Sequence, residues 1–233
     1  MPALVLIPGL LCDSRLWRHQ AEHLADVADP IQVPEVRGQD TVQGMAREVL
    51  EAAPERFALA GLSMGGYVAL EVVRQAPDRV EALALLDTSA RPDTPEQTKT
   101  RLALIELVRE GRFDEVWRTL LPRIIHPDRV EDPDLISVVE GMATSVGPEE
   151  FERQERAIIG RPDSRADLPG ITCPTLVLCG RDDALTPPAL HEELAGGIPG
   201  AGLRTIDRCG HLSTLERPEE TTQAMREWLG ALG

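Results

Sequence analysis

The chain has 233 residues, of which 42% are hydrophobic and 27% charged, and a formal net charge of −15. That length and composition suit one globular domain with a sizeable core and room for an inserted subdomain, and exclude a disordered chain. With 24 basic against 39 acidic side chains and no basic cluster, nucleic acid and anionic membrane surfaces are excluded as partners.

Taken in order, residues 3–7 are an apolar run of strand length, broken by Pro8-Gly9-Leu10-Leu11. The run lacks a basic leader and a small-residue cleavage site, so it reads as a buried strand rather than a signal peptide. Cys12, Cys173, Cys179 and Cys209 form no C-x-x-C pair and no zinc-like spacing with histidine. They are read as reduced, mostly buried thiols of a cytoplasmic protein, and no apolar run reaches the length that spans a bilayer. Residues 31–36 form a second strand, and Asp40 with Gln43 makes a capping box for a helix over 41–53. A strand over 56–60 then runs into Gly61-Leu62-Ser63-Met64-Gly65-Gly66 and a helix over 67–75 that Pro77 stops. Residues 80–86 are again a buried strand, ending at Asp87-Thr88-Ser89. This alternation of strand and helix implies a parallel sheet.

Beyond Arg91 the alternation stops. Thr94-Pro95-Glu96-Gln97 opens a helix whose apolar face is Leu102, Ile105 and Val108. Phe113, Val116, Trp117, Leu120, Leu121 and Ile124 repeat with helical spacing, as do Leu135, Val138, Val139 and Met142, and a fourth helix runs over 148–159. Residues 91–165 are therefore a helical insertion between core segments 1–90 and 166–233. Sheet rhythm returns over 175–179, followed by Gly180-Arg-Asp-Asp183, a helix opened by Thr186-Pro187, a strand around 203–207, Cys209-Gly210-His211, and a last helix over 218–229.

The chemistry centres on Gly61-x-Ser63-x-Gly65 at a strand-to-helix junction. Glycines let strand and helix approach while the turn pushes the Ser63 hydroxyl into the open, and the Met64 amide sits at a helix N-terminus, where negative charge is favoured. A serine hydroxyl needs a base, and the base needs a carboxylate. His211 is the one histidine of five placed at a strand end. Asp183 is the preferred acid, with Asp87 the alternative from the neighbouring strand.

The order Ser63, Asp183, His211 resembles that of the α/β-hydrolase superfamily, specifically its small capped esterase-like members. The resemblance extends over residues 4–17, the 61–66 turn, residues 180–187, and Gly210-His211-Leu212 through Glu216-Arg217-Pro218-Glu219. It implies an α/β fold with a mostly parallel sheet of about six strands flanked by helices, and an inserted helical cap. It further implies an oxyanion hole from the Leu10 and Met64 amides, with Leu11 an alternative donor. Pro8 stands where the family usually has histidine, and Arg37-Gly38-Gln39-Asp40 departs from its usual Arg-Gly-His-Gly loop. The expected activity is cleavage of carboxylic esters, lactones or thioesters of a medium-sized, largely apolar small molecule, with neither metal nor organic cofactor, by a monomer or homodimer. The expected pocket draws on Leu11, Trp117, Leu121, Ile124, Met142 and Leu212. The same triad also serves carbon–carbon hydrolysis, lyase-like synthesis and cofactor-free perhydrolysis, and a weakly catalytic receptor is a further reading. A serine at position 63 excludes haloalkane dehalogenation, which needs a carboxylate there.

Overall fold

A computed structural model describes residues 1–232. Its strands are β1 (Leu4–Ile7), β2 (Ile31–Gln32), β3 (Phe57–Leu62), β4 (Val80–Leu86), β5 (Thr175–Gly180) and β6 (Gly202–Ile206). All neighbours pair in parallel, in the order β2-β1-β3-β4-β5-β6. Every position of β1, β3 and β5 is buried, which is why these strands read as unbroken apolar runs. Alternate residues point to opposite faces. Val5, Ile7, Phe57 and Leu59 pack on helices α2 (Val42–Ala52), α3 (Met64–Gln75) and α8 (Pro188–Gly197), while Leu4, Leu6, Ala58 and Ala60 face α1 (Arg18–His23) and α10 (Pro218–Gly230).

Between β4 and β5 run α4 (Pro95–Arg109), α5 (Phe113–Ile124), α6 (Pro133–Val146) and α7 (Pro148–Ile159), with no strand among them. They share a small core of their own, with Leu104, Val116, Trp117, Ala143, Val146 and Phe151 packed against Leu11 from the β1 loop. At the base of this segment the Ser164 amide donates to the Ala90 carbonyl at 2.8 Å, so the outgoing and returning chains meet. None of the helices is long and apolar enough to cross a membrane among the described residues.

Several boundaries differ from the sequence reading. The strand expected over 31–36 pairs only at Ile31–Gln32; Pro34 lacks the N–H that a longer ladder needs. The helix after it is capped by Thr41, whose hydroxyl accepts from the Gly44 amide at 3.1 Å, and Asp40 lies outside. Of the face expected on α4, Ile105 is buried and Val108 half-buried, but Leu102 is 51% exposed and Leu104 is buried in its place. Thr186 does not cap α8, which follows Pro187, because its hydroxyl is engaged elsewhere. All four cysteines are free, with Cys179 and Cys209 buried and Cys12 and Cys173 half-buried.

Candidate active site

The carboxyl ends of β1, β3, β4 and β5 converge on one edge of the sheet, where open α/β sheets place their ligands. Three non-glycine residues in the loops there have positive φ: Leu11 at 58°, Ser63 at 55° and Asp87 at 46°. Such strain persists only where the surroundings impose it.

At Ser63 the imposing groups are easily named. The Ser63 amide donates to the Leu86 carbonyl at 3.0 Å, and its carbonyl accepts from the Thr88 hydroxyl at 2.8 Å. A β-carbon at Gly61 would sit 2.2 Å from the Gly65 carbonyl oxygen, and one at Gly65 would sit 2.2 Å from the Ile7 oxygen. Any larger residue would push β3, α3 and β1 apart.

From this turn the Ser63 Oγ lies 2.8 Å from His211 Nε2, and His211 Nδ1 lies 2.7 Å from Asp183 Oδ2. The structure thus brings the three expected side chains into one hydrogen-bonded line, with His211 and Asp183 both 3% exposed. Asp183 is itself fixed: Oδ1 accepts from the Leu185 and Thr186 amides at 2.8 and 2.9 Å, and Oδ2 accepts from the Thr186 hydroxyl at 2.7 Å. Burial works against its charge, but His211 and these donors outweigh it and hold the carboxyl below its ordinary value. For His211, burial likewise opposes the charged form, and the Asp183 charge and hydrogen bond overcome it, so the imidazole is raised.

Asp87 makes no hydrogen bond to His211. Its carboxylate accepts from the Gly180 amide at 3.0 Å and the Ser213 amide at 3.2 Å, tying the β5 end to the segment after His211. Complete burial, then the nearby Asp183 charge, push it up to about 8.

The Leu10 amide, on the loop after β1, and the Met64 amide, at the first turn of α3, donate no hydrogen bond within the described residues. The Leu11 amide is committed: it donates to Gln154 Oε1 of α7 at 3.0 Å, so the alternative donor is already occupied.

A cavity of about 370 Å³ opens over Ser63. Leu11, Trp117, Ile124, Met142 and Leu212 line it, whereas Leu121 packs within the apolar clusters around α5 instead. Sequence reading missed the polar wall. Tyr67, one turn along α3 from Ser63, carries the Arg161 guanidinium 4.3 Å from its ring centroid. Arg161 pairs with buried Asp93, and Arg101 reaches Asp93 at 2.9 Å and Glu155 at 2.8 Å. The i, i+4 spacing of Ser63 and Tyr67 was the available signal; the pairing of Arg161 with Asp93 across most of the insertion left none.

Residues 4–224 match the model of the alpha/beta hydrolase family. A curated relative, a pimeloyl-[acyl-carrier protein] methyl ester esterase of Nitrosomonas europaea, is 26% identical over 94% of this chain and 92% of its own length. Among solved structures, a thermophilic esterase from Thermogutta terrifontis, with malate bound, superposes with a TM-score of 0.89 at 33% identity, covering 100% of this chain and 90% of that one. The enol-lactonase from Burkholderia xenovorans gives 0.90 at 27% identity, covering 98% and 91%.

Proposed function

The chain belongs to the alpha/beta hydrolase family, and on that premise we propose that it is a serine hydrolase that cleaves carboxylic esters through a Ser63–His211–Asp183 triad. The observation that carries this reading is the continuous line from Ser63 Oγ to His211 Nε2 at 2.8 Å and from His211 Nδ1 to Asp183 Oδ2 at 2.7 Å, beneath an open cavity.

In this reading Ser63 Oγ attacks the ester carbonyl as His211 Nε2 takes its proton, and Asp183 supports the imidazolium. The Leu10 and Met64 amides receive the oxyanion, the second aided by the α3 dipole. His211 then returns the proton to the departing alcohol, and water attacks the acyl-enzyme with His211 again the base. Residues 91–165 act as a cap, closed at the 90/164 neck, whose helices supply the roof over Ser63. Leu104, Trp117, Val139 and Met142 give that roof, and Leu212 the core wall below it, an apolar character suited to a medium-sized, largely apolar acyl group. Names of relatives that act on a methyl ester and an enol-lactone support the same bond class.

The test is hydrolysis of p-nitrophenyl esters across acyl lengths. A rate that peaks at medium chains and disappears in Ser63→Ala is expected. Preference for charged or bulky polar acyl groups overturns the substrate class, and activity that survives in Ser63→Ala overturns the mechanism.

A further inference from the structure

The loop that carries His211 has little regular structure, yet all three of its consecutive amides are engaged. The His211 amide donates to the Ile124 carbonyl at the end of α5, at 3.0 Å. The amides on either side, Gly210 and Leu212, both donate to Glu216 Oε1, at 3.0 and 3.3 Å. The other oxygen of the same carboxylate, Oε2, accepts from the His126 amide at 2.7 Å, in the segment between α5 and α6. Glu216 ends the short helix α9 (Ser213–Glu216), is 1% exposed, and among the described residues has no arginine or lysine side chain bonded to its carboxylate. Packing here leaves no slack, since a β-carbon on Gly210 would lie 2.7 Å from the His126 nitrogen and 2.8 Å from Glu216 Oε1.

We propose that Glu216 is a positioning residue for the general base: one buried carboxylate fixes the backbone on both sides of His211 and joins it to the helical insertion. This rests on the triad reading above, with His211 as the base. Three N–H donors converge on two oxygens that only accept, so a carboxylate is required. A glutamine would set its NH₂ against at least one donor, and an aspartate, one methylene shorter, would not reach both segments. Displacing an imidazole by about 1 Å costs roughly a hundredfold in rate, whereas the hydrogen bond of Glu216 to the apolar wall comes from the backbone amide of Leu212 and not from a side chain that binds the acyl group, so substrate binding changes less.

The experiment is steady-state hydrolysis of the best p-nitrophenyl ester by Glu216→Gln, with the rate of fluorophosphonate labelling at Ser63 measured alongside. A fall of about 10- to 100-fold in kcat and in labelling rate, with KM within about twofold, is expected. A second pair isolates the link to the insertion and serves if Glu216→Gln fails to fold. His126 has φ −59°, a value proline adopts, so His126→Pro deletes the N–H that Oε2 accepts, while His126→Ala removes only the ring. His126→Pro should have a kcat at least fivefold below that of His126→Ala. Wild-type kcat in folded Glu216→Gln, or equal kcat in the two His126 variants, overturns the proposal while leaving the triad in place. A wild-type protein without Ser63-dependent hydrolysis overturns the triad reading and this proposal with it.

Discussion

Substitution of Asp183 by asparagine is the most informative single change to the acid. The Leu185 and Thr186 amides hold Oδ1 at 2.8 and 2.9 Å, so the asparagine carbonyl takes that side and its NH₂ takes the place of Oδ2, 2.7 Å from His211 Nδ1. An NH₂ there donates, which forces Nδ1 to accept and moves the imidazole proton to Nε2, facing Ser63 Oγ. The base then has no lone pair for the serine proton. The expected loss is about 10⁴ in kcat with KM little changed, or about 5 kcal/mol of transition-state stabilisation. Asp87→Asn is the control. Asp87 accepts from the Gly180 and Ser213 amides and not from His211, so the change strands one buried donor, costs about 1–3 kcal/mol of stability, and leaves at least a tenth of kcat. Both variants are assayed on the same ester, with thermal melts alongside. If Asp183→Asn keeps more than a tenth of the activity while Asp87→Asn loses a thousandfold, the acid has been assigned to the wrong strand.

Other outcomes follow from the same geometry. Because Asp183 holds His211 above its ordinary value of 6.5, and the base must be neutral to act, kcat/KM should fall on acidification with a midpoint above 6.5; a midpoint below 6 contradicts the pairing. Burial, above all, holds His191 down to about 4, so an unfolded chain takes up a proton there that the folded one refuses. Folding stability should therefore drop by about 3 kcal/mol between pH 6.5 and 4, and urea titrations of His191→Gln should show a shallower drop. Gln154→Leu leaves the Leu11 amide unpaired in a buried site and frees the β1 loop; expected are a loss of about 1–3 kcal/mol in stability and about tenfold in kcat. An unchanged kcat would show that this loop is held by packing alone.

Much of this molecule was legible in its sequence because the relevant physics is local. The central strands β1, β3, β4 and β5 were found because they are buried almost throughout, and the Ser63 turn because a sharp strand-to-helix junction leaves no room for side chains at Gly61 and Gly65. His211 stood out by its place after a strand. Where reading failed, the deciding partner was distant in sequence. Nothing near Leu11 announces Gln154, and nothing near Leu121 says that neighbouring helices rather than the cavity take its side chain. The polar wall of Arg101, Glu155 and Arg161, with Asp93 behind it, needs the segments 93–101 and 155–161 to meet before Glu155 and Arg161 find their partners. Glu216 was visible as part of a motif, but its role is a matter of three amides arriving from two places. The β2 strand was overextended for a simpler reason: an apolar pattern continued through Pro34, which cannot donate to a ladder.

The most direct test of the account is active-site labelling with a fluorophosphonate, read by mass spectrometry of the intact protein and its peptides, beside ester hydrolysis. One phosphonyl adduct is expected, on Ser63, abolishing hydrolysis in proportion to its extent, with no adduct in Ser63→Ala. Labelling on another residue, or hydrolysis that persists after Ser63 is fully modified, would contradict it.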